Sequence, residues 1–242
     1  MDPFIANTID DLSRHAAEWL AGHIKKVLQQ QDRCVIALSG GSTPKKLYEL
    51  LASPGFAGEI DWSRLHFFWG DERFVPYSDE RNNARMAADT LLAKVPVNKD
   101  QIHIMRTDMA PQASADAYEN ILHSYFDNRE TSFDIALLGI GGDAHTLSLF
   151  PGKPVLHEKK KWVASFFLEE QQMYRITLTV PVINRSACIV FLVSGADKAV
   201  AVQHVLYGEH DPELYPAQLI QPYNGNCFWF IDTAAAKEIS VQ

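Results

Sequence analysis

Three short polar stretches hold the residues most able to do chemistry in this 242-residue chain, and each follows an apolar run. The first is Gly139-Ile140-Gly141-Gly142-Asp143-Ala144-His145, directly after Phe133-Asp134-Ile135-Ala136-Leu137-Leu138. An imidazole titrates near neutral pH, so His145 can take a proton from water and return it to a leaving group. A neighbouring carboxylate, Asp143, can fix its tautomer and stabilise its charged form. The plainer reading is an N-capping aspartate and an incidental histidine. The letters also satisfy the loose dinucleotide fingerprint G-x-G-x-x-G/A, but prolines at 151 and 154 interrupt the segment beyond before a long crossover helix can form. A nicotinamide enzyme is therefore not supported.

The second stretch is Ser39-Gly40-Gly41-Ser42-Thr43-Pro44, after Cys34-Val35-Ile36-Ala37-Leu38. Thr43 suits an N-cap and Pro44 a first helical position, with Leu47, Leu50 and Leu51 forming the apolar stripe that follows. Such a turn presents free backbone N–H groups, hydroxyls and the positive end of a helix, which together suit a phosphate or carboxylate. Read alone, it can equally be a tight turn that binds nothing. It lacks the G-x-S-x-G of a nucleophile elbow and the G-x-x-x-x-G-K-[ST] of a P-loop. The third stretch, Gly70-Asp71-Glu72-Arg73, follows Leu65-His66-Phe67-Phe68-Trp69. Solvated turn charges are one reading. The other brings Asp71, Glu72 and Arg73 to the same sheet edge as residues 39–43, where Arg73 stabilises an anion and a carboxylate steadies its guanidinium.

The elements that must position these groups alternate. Leu12, Ala16, Leu20, Ile24 and Leu28 recur at helical spacing within residues 8–31. Short apolar runs at 34–38, 65–69, 133–140, 162–167, 176–180, 188–193 and 228–231 read as strands. Helical spacing returns at 44–51, 83–93, 113–125 and 197–207. Strands that are apolar throughout and alternate with helices predict one α/β domain over residues 1–242. Its sheet is mainly parallel, Rossmann-like and covered on both faces.

Composition narrows the function. With 47% hydrophobic and 21% charged residues the chain reads as globular. A formal net charge of -8 argues against nucleic acid, so an anionic substrate needs a local basic pocket. No apolar run approaches the roughly 18 to 20 residues of a membrane span, and acidic Asp2, Asp10 and Asp11 stand where a signal segment would be basic and then apolar. A soluble, cytoplasmic protein is expected. Cys34, Cys188 and Cys227 have no metal or disulfide spacing and read as buried thiols, and the scattered histidines give no metal motif. The run Lys159-Lys160-Lys161 reads as a solvated loop or, alternatively, a basic lip over the substrate.

Taken in order, the three stretches, the third extended to Phe74-Val75-Pro76 and the first to Thr146-Leu147-Ser148-Leu149-Phe150-Pro151-Gly152, resemble the 6-phosphogluconolactonase family. So do Arg175-Ile176-Thr177-Leu178-Thr179 with Asn184, Ser194-Gly195-Ala196-Asp197-Lys198-Ala199 and Trp229-Phe230-Ile231-Asp232. The resemblance implies the α/β fold shared with glucosamine-6-phosphate deaminases and, more distantly, ribose-5-phosphate isomerases. It also implies a cofactor-free hydrolase that opens 6-phospho-D-glucono-1,5-lactone to 6-phosphogluconate in the oxidative pentose phosphate pathway. Carried over, His145 matches the general base, with Asp143 beside it, and from that pair we expect water to attack without a covalent intermediate. Ser39, Gly40, Gly41, Ser42, Thr43, Arg175 and Lys198 hold the phosphate, while Asp71, Arg73, Gly141 and Gly142 complete the substrate site. A monomer or weak homo-oligomer is expected.

Two alternatives accompany this reading. The deaminases have a Glu-containing ending like F-N-E-P where this chain has Ser148-Leu149-Phe150-Pro151, and Phe150 cannot transfer a proton. A non-catalytic sugar-phosphate sensor would have no need of the Asp143 and His145 pair. The chain departs from the family at Ala144, usually Gly, and at Leu147, commonly Ala. If residue 144 has positive φ, its methyl group costs on the order of 1 kcal/mol.

Overall fold

A computed structural model describes residues 2–239. Its strands are β1 (Phe4–Ala6), β2 (Cys34–Leu38), β3 (Leu65–Trp69), β4 (Asp71–Arg73), β5 (Ile135–Leu138), β6 (Val163–Leu168), β7 (Met173–Leu178), β8 (Cys188–Val193) and β9 (Asn226–Asp232). Its helices are α1 (Ile9–Gln30), α2 (Ser42–Leu51), α3 (Pro54–Ala57), α4 (Asn83–Ala87), α5 (Pro111–Phe126), α6 (Val180–Ile183) and α7 (Ala199–Tyr207).

Six strands form a parallel sheet in the order β1-β9-β8-β5-β2-β3. Because side chains alternate along a strand, β2 supplies two cores. Cys34, Ile36 and Leu38 pack with residues of α1, α2 and α4, whereas Val35 and Ala37 pack with residues of α5 and α7. Strands buried on both faces have no polar side, which explains their continuously apolar letters. Helix α1 starts where Thr8 accepts a hydrogen bond from the Asp11 N–H at 3.1 Å, and Leu12, Ala16, Leu20 and Ile24 carry its buried stripe.

The second sheet was not legible as such. Strands β4, β7 and β6 pair antiparallel in that order, and Val163, Ile176 and Leu178 face the same core as α5. Strand β7 ends at Leu178, before the expected Val180, because Val180 already opens α6 and Pro181, which cannot donate to a ladder, fits that helix's first turn. The helix expected over 83–93 is α-helical only to Ala87 and then π-helical over Ala88–Leu92. There the Thr90 hydroxyl donates to the Met86 carbonyl at 2.6 Å, and the Ala93 N–H reaches back to Ala88 at 3.0 Å. Helix α2 begins at Ser42 with Gly41 as its N-cap, so Thr43 and Pro44 both lie inside the first turn, two positions later than their types suggested. Pro44 is tolerated there because the first-turn N–H groups have no intrahelical partner.

Cys34 and Cys188 are buried and Cys227 is half-buried. Burial pushes the Cys188 thiol up to about 12 and Cys227 to about 11, which leaves both as inert packing groups. The three lysines at 159–161 lie in an exposed turn whose Lys160 and Lys161 N–H groups donate to the Glu158 carboxylate.

Candidate active site

The chain leaves the C-terminal ends of β2, β3, β5 and β8 into loops that surround one cavity. These strands are neighbours, and β2 stands between β3, which follows it in the chain, and β5, which comes later. Connections diverge between β2 and β5, the kind of position where open α/β sheets bind ligands.

The loop after β2 is anchored from below. The Tyr48 hydroxyl on α2 accepts the Ser39 N–H and donates to the Ser39 carbonyl, both at 2.9 Å. The Ser39 amide is thus committed to the fold, and the available amides begin beyond it. Gly41 has φ +105, which only glycine adopts without strain, and a Cβ at Gly40 would lie 1.9 Å from Asn83 Oδ1. The first intrahelical hydrogen bond is Lys45 N–H to Gly41 O at 3.1 Å, so the N–H groups of Ser42 and Thr43 point ahead of it at the positive helix end.

The loop after β3 is held in the same manner, with the Tyr118 hydroxyl of α5 accepting the Trp69 N–H at 2.7 Å and donating to the Trp69 carbonyl at 3.1 Å. The charged stretch beyond is a strand. Extended backbone sends Asp71 and Arg73 to the cavity and Glu72 away from it. The expectation that all three emerge together is corrected for Glu72, which is fully buried and accepts the N–H groups of Arg73, Asn83 and Ala84 at 2.7–2.9 Å. Burial pushes its pKa up to about 8 against those donors.

Arg73 pairs across the ladder with Arg175 of β7, so both belong to one row of the small sheet. The Nε groups of both are buried with no protein partner among the described residues. Arg175 is 4% exposed, its Nη1 lies 3.6 Å from Asp71 Oδ2, and its Nη2 donates to Gln171. Burial pushes the guanidinium down from its ordinary pKa, opposed by Asp71, and it remains a cation as arginines do. Asp71 also accepts the Ser148 hydroxyl at 2.6 Å and the Asn83 amide at 3.4 Å. Lys198, after β8, lines the same cavity with its Nζ 2.9 Å from the exposed Asp197 carboxylate.

The glycine turn after β5 is closed by hydrogen bonds from Gly141 N–H to His145 O at 2.8 Å and from Ala144 N–H to Gly141 O at 3.0 Å. His145 Nδ1 lies 2.5 Å from Asp143 Oδ1. A carboxylate can only accept, so Nδ1 carries the proton and Nε2 remains the basic nitrogen. Burial pushes the Asp143 pKa up, but the hydrogen bonds and charge of His145 outweigh it and hold the carboxyl below its ordinary value. Ala144 has φ +62 and Leu147 φ +56, so both departures from the family letters fall on left-handed backbone.

Of the residues singled out from sequence, Ser39, Gly40, Gly41, Ser42, Thr43, Asp71, Arg73, Gly141, His145, Arg175 and Lys198 line this cavity. Asp143 is not part of the lining and acts on it through His145. Gly142 is not part of it either, and a Cβ there would lie 3.0 Å from the Asp197 carbonyl, so it accommodates the Lys198 turn. Sequence reasoning missed Asn83, buried between Gly40 and Asp71, and the lining residues Thr146, Leu147 and Ser194. Asn83 had no legible signal, since an Asn pair before a helix reads as a cap, a role that Asn82 fills by accepting the Arg85 N–H at 2.8 Å.

The family profile described as "Glucosamine-6-phosphate isomerases/6-phosphogluconolactonase" matches residues 7–229. A 6-phosphogluconolactonase of Synechocystis is 40% identical over 220 residues, 89% of each chain. The chloroplastic 6-phosphogluconolactonase 3 of Arabidopsis thaliana is 35% identical across 96% of this chain and 72% of its own length. The structure of 6-phosphogluconolactonase from Trypanosoma brucei superposes with a TM-score of 0.85 at 28% identity, covering 99% of both chains. Fold, cavity and sequence agree, and the chain belongs to the glucosamine-6-phosphate isomerase/6-phosphogluconolactonase family.

Proposed function

We propose that this chain hydrolyses 6-phospho-D-glucono-1,5-lactone to 6-phosphogluconate, the reaction named by its curated relatives. The observation that carries the mechanism is the His145 and Asp143 pair, 2.5 Å apart, on a cavity that also holds three cationic side chains. In this reading the substrate phosphate lies against the amides of residues 40–43 with Lys198 and Arg175, within a chain that is acidic overall. His145 Nε2 removes a proton from water as its oxygen attacks the lactone carbonyl carbon. The carbonyl electrons pass to the oxyanion, which Arg73 or backbone N–H groups stabilise. The ester bond then breaks and imidazolium returns the proton to the departing ring oxygen. No covalent enzyme intermediate and no cofactor is required by these steps, and the product acid releases one proton to solvent.

Phe150 supports lactone opening over deamination. It packs on His145 with ring centroids 4.1 Å apart, and it offers no proton where the deaminases have a carboxylate. A sensor reading is disfavoured by the oriented imidazole, which binding alone does not need. We assign the whole of residues 1–242 to one catalytic domain, acting as a monomer or weak homo-oligomer in the cytoplasm without nucleic acid. No helix among the described residues is long and apolar enough to cross a membrane.

The deciding assay compares hydrolysis of freshly generated lactone, as the increment over spontaneous opening, with ammonia release from glucosamine 6-phosphate. Turnover of the lactone alone is expected, with His145→Ala lowering kcat by about 100-fold or more. Ammonia release would favour the deaminase, binding without turnover the sensor, and near-normal kcat in His145→Ala would remove the base assignment.

A further inference from the structure

The ring of Phe150 meets two of the groups assigned above. His145 is stacked on it at 4.1 Å between centroids with 28° between planes, and the Arg175 guanidinium carbon lies over it at 5.6 Å. Phe150 is itself buried, and the two charged-site groups are the ring's own neighbours. The imidazole is also confined by its own turn, because a Cβ at Gly141 would come within 2.1 Å of His145 Nδ1. Asp143 Oδ1 holds Nδ1 by a hydrogen bond of 2.5 Å. Rotation of the imidazole out of this slot must displace either the Gly141 backbone or the Phe150 ring.

We propose that Phe150 is a positioning residue for the lactone reaction. Its flat face fixes the imidazole plane and thereby the direction of Nε2, and the same ring sets where the Arg175 guanidinium rests. Proton carrier and anion anchor thus share one aromatic ring as a common neighbour. A ring face also favours the positive charge that His145 acquires when it takes the proton from water. An aliphatic side chain of similar volume would fill the space without imposing a plane. This inference rests on the reading of His145 as base and Arg175 as anchor.

The test compares Phe150→Leu, which keeps apolar volume, with Phe150→Tyr, which keeps the flat ring, using kcat, KM and the NMR signals of the His145 ring protons. Misplacing a catalytic group by about 1 Å costs on the order of 100-fold, so a loosened slot should cost roughly tenfold in kcat. Phe150→Leu is expected to show that loss together with roughly a threefold rise in KM through Arg175. The imidazole signals should also lose the upfield displacement imposed by the stacked ring. Phe150→Tyr should stay within about threefold of the parent in kcat. If Phe150→Leu unfolds, Phe150→Met is read by the same three measurements. The proposal is overturned if the folded aliphatic variant keeps kcat within about twofold, or if the tyrosine variant is as impaired as the aliphatic one. His145→Ala separates the two readings. If it retains turnover, the base assignment fails. If it loses turnover while the aliphatic variant does not, the positioning role alone fails.

Discussion

Single atoms decide whether His145 is aimed, and two neighbours show how. At Gly141 an added methyl group would collide with Nδ1 at 2.1 Å and with Asp143 Oδ1 at 2.4 Å. Gly141→Ala is therefore expected to lower kcat by about 100-fold while affinity for 6-phosphogluconate stays within about threefold, since the proposed phosphate anchors lie on other loops. Steady-state kinetics together with calorimetric titration check this, and an equal loss of affinity would show that the turn also binds. Ala144 poses a different balance. Left-handed backbone costs an alanine about 1–2 kcal/mol. Glycine there would lose about 0.8 kcal/mol of methyl burial and about 0.5–1 kcal/mol to the freer unfolded chain. These offset, so Ala144→Gly should leave unfolding free energy within about 1 kcal/mol of the parent, whereas the β-branched Ala144→Val should lose about 2 kcal/mol or more. Denaturant unfolding distinguishes the two. The residue types of this turn were legible because proton transfer needs an imidazole with a carboxylate. Leu147 was less so, as nothing in a leucine announces φ +56.

At the scale of elements, the site depends on strand ends that have run out of ladder partners. Two tyrosines from helices on opposite faces of the sheet complete those ends, Tyr48 at β2 and Tyr118 at β3. Tyr48→Phe leaves the Ser39 N–H and C=O without the hydroxyl, at a cost of about 1–3 kcal/mol. The proposed phosphate loop should loosen with it, so KM is expected to rise several-fold with a smaller change in kcat. A Tm loss without any KM change would make Tyr48 purely structural. Glu72 sets a pH dependence through α4. Its folded pKa, about 8, lies above its ordinary value, so the native state binds the extra proton between them. The stabilisation this provides is complete below about pH 4.5 and is lost as pH rises toward 8. Denaturant midpoints should decline across that window, and Glu72→Gln should flatten this slope. The substitution also costs about 1 kcal/mol or more, because an amide accepts fewer of the three N–H donors. Strands apolar on both faces were readable as a parallel sheet. The β4-β7-β6 sheet was not, because Asp71, Glu72 and Arg73 carry turn letters in an extended segment whose partners come about 100 residues later.

For the whole molecule, the opposition to resolve is between an acidic chain, with net charge -8, and a substrate that is itself an anion. The fold resolves it locally. Parallel strands send their C-terminal ends to one edge, and the loops there bring Arg73, Arg175 and Lys198 from distant parts of the sequence around the positive end of α2. Three cationic side chains line the cavity of a chain whose net charge is negative, so binding should depend on these few groups and weaken with salt only as far as the open mouth admits ions. A ligand that binds only the folded state stabilises it by about 2.7 kcal/mol at a hundredfold excess over its Kd. In a chain of this length each kcal/mol corresponds to roughly 2–4 °C, which predicts that 6-phosphogluconate at that excess raises Tm by about 5–10 °C. At the same ligand concentration Arg175→Ala with Lys198→Ala should lose most of the shift, while His145→Ala should retain it, because proton transfer contributes to the transition state and little to product binding. Thermal unfolding of the three proteins with and without ligand measures this, and a full shift surviving in the double variant would move the phosphate away from the cavity described here.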